Sequence, residues 1–112
     1  MPKAEPQRGE VWIVDTGYAG KIRPCVVLSV PAEDQDRALI TYIPCTSSGR
    51  GSRFEANINA SFLQKPGVVN AQGIATIDHN KFQRKLGLLS SAQLAEVEVV
   101  VKHWLGFDLS QI

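Results

Sequence analysis

The chain predicts a mainly β protein, a small antiparallel barrel or strongly bent sheet closed by one C-terminal helix. Three observations carry that expectation. Short aliphatic segments with strand chemistry follow one another between residues 10 and 88, separated by turn-rich pieces and with no helical pattern among them. The hydrophobic period becomes helical only after residue 90. With 112 residues, the chain has room for one domain with its own core and no second one.

Residues 1–7 read as a mobile arm, and residues 8–112 as the single domain. The first strand is expected at Glu10 to Asp15, the second at Pro24 to Val30 and the third at Ala38 to Pro44. Four more follow at Arg53 to Ile58, Val68 to Gln72, Ile74 to Asp78 and Lys85 to Leu88. Trp12, Val14, Val26 and Leu28 fall on alternate positions, the pattern of strands with one buried face. Polar connectors separate the strands at residues 30–37 and 46–52. Pro24 fixes its own φ and biases Arg23 toward an extended backbone, so the guanidinium is expected at a rigid strand start where the first loop re-enters the sheet. A cation held there suits an anion such as phosphate.

The last segment begins with a capping box, Ser90 with Gln93, and a hydrophobic staple, Leu89 with Leu94. A helix is therefore expected from about Ser91. Leu94, Val97, Val101, Trp104 and Leu105 make its apolar stripe, and Gly106 is its stop. His103 reads as a surface residue of the last turn, favoured there by the helix dipole.

Composition is that of an ordinary globular chain, 44% hydrophobic and 21% charged. No apolar run approaches the roughly 18 residues of a membrane span, and the start lacks a signal-peptide core, so no membrane partner and a cytoplasmic location are expected. Cys25 and Cys45 lack metal-ligand spacing and read as buried thiols, although a bridge between them stays open. A net charge of +1 argues against a broad electrostatic nucleic-acid clamp. Residues 46–90 nevertheless carry Arg50, Arg53, Lys65, Lys81, Arg84 and Lys85 against Glu55 and Asp78. That basic middle can face an anionic ligand, or its charges can be scattered and solvated.

Four blocks carry a resemblance: Arg8-Gly-Glu-Val-Trp12, then Arg23-Pro-Cys-Val-Val-Leu-Ser29, then Ile43-Pro-Cys-Thr-Ser-Ser48, then Gln72-Gly-Ile-Ala-Thr-Ile-Asp78 with Lys85-Leu-Gly-Leu-Leu-Ser90. In this order, over residues 8 to 107, the chain resembles the MazF/PemK family of toxin endoribonucleases. The resemblance implies an SH3-like barrel of the CcdB/PemK type with about five to seven strands, a homodimer, and a cognate antitoxin. It implies metal-independent cleavage of single-stranded RNA, messenger RNA included, at preferred sequences, leaving 2′,3′-cyclic phosphate and 5′-hydroxyl ends. No cofactor and no metal are called for.

The family's catalytic pair, an arginine in the Arg-Pro motif and a hydroxyl after the next strand, maps onto Arg23 and Thr46. The chemistry is apt, because a planar, permanently charged guanidinium matches phosphate oxygens and a turn hydroxyl adds a donor. Taken without the resemblance, Arg23 reads as a plain strand-edge arginine and Thr46 as a turn cap. Substrate contacts are expected from Tyr18, Lys21, Ser47, Ser48, Arg50, Arg53, Thr76, Asp78 and Lys81, with Tyr18 offering a stacking face to an unpaired base. Asp78 also reads as a turn former. Many relatives carry an arginine where this chain has Ala75, and Lys81 or Arg84 is the available substitute. The first loop holds no histidine or glutamate, which leaves the general base unassigned. Two other readings of the same fold remain, a non-catalytic RNA- or protein-binding module and a gyrase-binding toxin like CcdB.

Overall fold

Valine, isoleucine and aromatic residues gather between turn residues seven times along the chain, and each gathering becomes a strand. The computed structural model describes residues 5–17 and 21–107. It contains β1 (Glu10–Asp15), β2 (Ile22–Val27), β3 (Leu39–Thr46), β4 (Glu55–Ile58), β5 (Gly67–Asn70), β6 (Ala75–Asp78) and β7 (Phe82–Leu88), then helix α1 (Ser91–Leu105). Every pairing is antiparallel, in the spatial order β4-β5-β3-β2-β1-β7, with β6 also on β3. The mainly β fold with a closing helix is the one the sequence predicts. Strand β3 turns the sheet on itself: Leu39 to Tyr42 pair with β6, whereas Cys45 and Thr46 pair with β5.

Several boundaries differ from the sequence reading, and each has a local cause. β2 starts at Ile22, so Arg23 lies inside the strand, and it ends at Val27 because the Leu28 and Ser29 N–H groups both donate to the Thr41 carbonyl, at 2.9 and 3.4 Å. β3 runs to Thr46, so the hydroxyl expected in a turn is the last residue of a strand. Gln72 leaves β5 for a short 3₁₀ turn, because the Asn70 side chain accepts its N–H at 3.1 Å.

The expectation of one buried face also needs correction, since β1 and β2 are covered on both sides. Trp12, Val14, Cys25, Val27, Ile40, Tyr42 and Phe82 form one core. Val11, Val26, Ile43, Cys45, Ile58, Val69 and Val97 belong to a second, beneath α1. Val26 therefore sits on the opposite face from Trp12 and Val14, as its pairing with Val11 requires. Continuous aliphatic runs such as Cys25-Val-Val27 are what a strand buried on both faces needs.

The Arg-Gly-Glu-Val-Trp block is explained by a buried carboxylate. Glu10 is only 7% exposed. One of its oxygens accepts from the Trp12 Nε1–H at 2.9 Å and the Gln7 N–H at 2.8 Å, and the other meets Lys85 Nζ at 2.9 Å. Burial alone would raise the Glu10 carboxyl, but the hydrogen bonds from Lys85, Trp12 and Gln7 and the Lys85 charge hold it below its usual value of 4.5. A carboxyl lowered by folding stabilises the native state above the unfolded pKa, and that contribution disappears as pH falls through the folded value. Thermal melts from pH 7 to pH 3 are therefore expected to decline more steeply for the natural chain than for Glu10→Gln. Parallel declines would contradict the role given to Glu10. Arg8 acts nearby as a strut, donating to the Leu28 carbonyl and pairing with Glu98 of α1.

Helix α1 starts as its sequence predicts. Ser90 Oγ accepts the Gln93 N–H at 3.1 Å, and Gln93 Oε1 accepts the Ser90 N–H at 3.2 Å. Gly106 ends it in the left-handed region, at φ 77°. Leu94, Val97 and Val101 pack on the core as expected. Trp104 and Leu105 do not: they are 39% and 48% exposed. The Trp104 ring instead meets Phe54 edge-on at 5.0 Å, past the end of the strand surface that α1 covers.

Candidate active site

Register brings the first two site residues toward each other. Strands β2 and β3 pair Val27 with Tyr42, Val26 with Ile43 and Cys25 with Pro44. Continued by two residues, the same register sets Arg23 opposite Thr46, on the face shared by Cys25 and Pro44. The ladder ends at Cys25 and Pro44, while Thr46 pairs on the other edge of β3 with Val68 of β5. Beyond the last pair, β2 carries a guanidinium and β3 a hydroxyl.

Local chemistry prepares both groups. Thr46 Oγ accepts the Ser48 N–H at 3.1 Å, which leaves its own proton free to be donated outward. Arg23 is half-buried and has no ion-pair partner among the described residues. Its charge is felt by its neighbours. Burial pushes the Tyr42 phenol up, the Cys25 thiol pushes it further, and Arg23 opposes both. Burial likewise raises both thiols, Cys45 to about 12, so neither is a nucleophile at neutral pH. The cysteines are free, with Cys25 in one core and Cys45 in the other.

Beside Thr46 lies a cleft of about 550 Å³. Thr46, Ser47 and Lys65 rim it, Arg84 and Pro24 stand on its floor of strands, and Phe62 and Leu63 form its apolar wall. Arg84 lies in line with Ile13 and Pro24, which pair with each other across β1 and β2. Arg23 alternates with Pro24 and so projects from the other face of β2, whereas Thr46, on the Arg23 face by the extended register, also lines the cleft.

The remaining expected residues divide by position. Ser47 lines the cleft, Ser48 fixes Thr46, and Lys21 lies two residues ahead of Arg23, its carbonyl accepting from Thr16 Oγ1 at 3.0 Å. The Arg50 loop is wound onto Glu55, whose carboxylate accepts the N–H groups of Arg50, Gly51 and Ser52 at 3.0 to 3.2 Å, and Arg50 does not line the cleft. Arg53 is drawn away: its guanidinium lies 4.5 Å over the Phe54 ring, at the far end of β4 from the cleft residue Ile58. Lys81 precedes Phe82, whose β1 partner Val14 also pairs with Arg23, whereas Thr76 and Asp78 pair with Thr41 and Leu39 at the other end of β3, about 17 and 23 Å from Thr46 at 3.3 Å per residue. There Thr76 bonds the Thr41 hydroxyl at 2.7 Å, and Asp78 caps a 3₁₀ turn by accepting the Asn80 N–H at 2.8 Å. Tyr18 lies outside the described residues.

Two cations that the sequence reading left off its site residues, Lys65 and Arg84, are part of the cleft. Arg84 falls outside the strand expected at Lys85 to Leu88, which in fact begins at Phe82. A bulge shifts the register, so that Val14 faces Phe82 while Ile13 faces Arg84. The extra residue, Gln83, moves Arg84 to the other face. Lys65 belongs to a connector and has no periodicity to reveal it.

Comparison with known proteins identifies the family and the fold. Residues 7–105 match the model of the PemK-like, MazF-like toxin of type II toxin–antitoxin systems. The chain is 30% identical over 109 residues to endoribonuclease MazF9 of Mycobacterium tuberculosis, covering 86% of this chain and 92% of that protein. Among solved structures, MazF of Deinococcus radiodurans superimposes with a TM-score of 0.78 at 31% identity, covering 94% of this chain and all of that one. A mycobacterial endoribonuclease in complex with its cognate antitoxin gives 0.79 at 25% identity, with 92% and 97% covered.

Proposed function

We propose that this chain, which belongs to the PemK-like, MazF-like toxin family of type II toxin–antitoxin systems, is an endoribonuclease that cuts single-stranded RNA, messenger RNA included, at a short preferred sequence without a metal ion. The observation that carries the reading is the β2–β3 register, whose last pair, Cys25 with Pro44, lies two residues from both Arg23 and Thr46.

In this mechanism the 2′-oxygen of one nucleotide attacks the adjacent phosphorus. The bond from phosphorus to the 2′-oxygen forms as the bond to the 5′-oxygen breaks, and the products are a 2′,3′-cyclic phosphate and a 5′-hydroxyl. Negative charge on the non-bridging oxygens grows in the crowded transition state. Arg23 meets it with a fixed, planar pair of N–H donors, and the Thr46 hydroxyl donates to a second oxygen. Proton delivery to the departing 5′-oxygen also falls to Arg23. The attacking hydroxyl gives its proton to solvent water, since the described residues lining the cleft include no carboxylate or imidazole to receive it, and solvent returns a proton to Arg23.

The relatives in complex with an antitoxin support a cognate antitoxin here, whose binding would cover the cleft and its edge. Homodimerisation and a cytoplasmic site of action belong to the same reading. No helix among the described residues is long and apolar enough to cross a membrane.

The test is to incubate purified protein with a long single-stranded RNA in excess chelator and map the ends. Cuts at a recurring short sequence with cyclic-phosphate ends are expected. Activity that needs added metal, or direct formation of 5′-phosphate ends, would reject the mechanism.

A further inference from the structure

We infer that the cleft beside Thr46 seats the nucleotide adjoining the cut phosphate, with Arg84 and Lys65 holding its phosphate and the wall of Phe62, Leu63 and Leu86 receiving its base. The inference rests on the nuclease reading and adds to it the residues that position the substrate.

Charge is the first support. The only charged side chains lining the cleft are Arg84 and Lys65, both exposed and neither in an ion pair among the described residues. In a chain whose net charge is only +1, two unpaired cations over one depression select an anion. The second support is shape. A cleft of about 550 Å³ falls within the range of small-molecule sites, and its lining combines apolar groups such as Phe62, Leu63 and Leu86 with the donors Thr46, Ser47, Lys65 and Arg84. That combination matches a nucleotide, which has a flat base at one end and a phosphate at the other.

The wall is held in place. A Cβ on Gly87 would stand 2.2 Å from the Phe62 ring, so this ring lies directly on bare β7 backbone. The segment carrying it is tied at its start, where Gln93 Nε2 donates to the Asn59 carbonyl at 2.9 Å, and again where the Leu63 N–H donates to Ala60 at 3.0 Å. A fixed aromatic edge costs little ordering on binding. Continuity is the third support. Thr46 lines the cleft and, by the extended register, shares a face with Arg23, so one RNA strand passing Thr46 presents its phosphate to Arg23 and its next nucleotide to the cleft.

The experiment uses the full chain and an RNA oligonucleotide containing a mapped cut site, with 2′-deoxy sugar at the cut so that it binds without being cleaved. Its affinity is measured by fluorescence anisotropy at several salt concentrations, and cleavage of the all-ribose form is followed in parallel. Arg84→Ala and Lys65→Ala are each expected to weaken binding about tenfold and to reduce the salt slope by about 0.7, the value for one phosphate contact on a single strand. KM should rise more than kcat falls, and Arg84→Lys should recover the salt slope. Unchanged affinity and slope in both alanine variants, with melting temperatures unchanged, would overturn the inference while leaving the nuclease intact. A kcat loss without a KM change would overturn it as well, by moving Arg84 into the chemistry. Failure of the natural chain to cut any RNA would instead remove the nuclease reading on which the inference stands.

Discussion

Arg23→Ala is expected to lower kcat by about 10²- to 10³-fold or more, with KM and melting temperature nearly unchanged. The size follows from removing one fixed donor to charge that develops only in the transition state. The split follows from the same argument, because an interaction absent from the ground state leaves binding alone. Stability should hold because Arg23 is half-buried at a strand end and has no ion-pair partner among the described residues. Arg23→Lys should recover little, since a point charge cannot span two phosphate oxygens. Single-turnover cleavage with a melt on each variant checks this. A variant within tenfold of the natural rate would remove Arg23 from the chemistry.

The largest stability effect is expected at Phe82. Its side chain is fully buried and packs edge-on against Trp12 at 6.4 Å and Tyr42 at 6.2 Å between ring centroids. It is the β7 member of the core formed with β1, β2 and β3. Phe82→Ala is expected to cost about 3–5 kcal/mol, from lost burial and the cavity left behind. Against a total stability of about 5–15 kcal/mol, that loss lowers the melting temperature by more than about 10 °C. Urea unfolding measures it. A loss below about 1 kcal/mol would mean that this core collapses around the gap and that the ring cluster does not hold β7 to the sheet.

What the sequence disclosed, and what it hid, follows from the range of the forces involved. Strand and helix identities were readable because alternation, proline, glycine and capping residues act within a few positions: Ser90 with Gln93 and Gly106 bounded α1 almost to the residue. Arg23 and Thr46 were found through resemblance, whereas their alignment depends on a register set by Val27, Val26 and Cys25 against β3. The double burial of β1 and β2 was missed, since it arises only when the sheet bends and α1 covers its second face. Arg84 has no face in the sequence reading because the strand expected at Lys85 to Leu88 begins three residues earlier, at Phe82. Its face is then set by the bulge at Gln83, which no local signal marks. Thr76 and Asp78 belong to a block singled out by resemblance, but β6 pairs with the other half of β3 from Thr46.

The central claim is that the RNA's own 2′-hydroxyl is the nucleophile, with Arg23 and Thr46 stabilising the phosphate it attacks. The most direct measurement compares two RNAs in excess chelator, one all-ribose and one with a single 2′-deoxy sugar immediately 5′ of the mapped cut. The account predicts that the first is cleaved to a cyclic phosphate and that the second binds as tightly but stays whole at that position. Cleavage of the deoxy-substituted site at a comparable rate would contradict it, because the nucleophile would then have to come from solvent or from the protein.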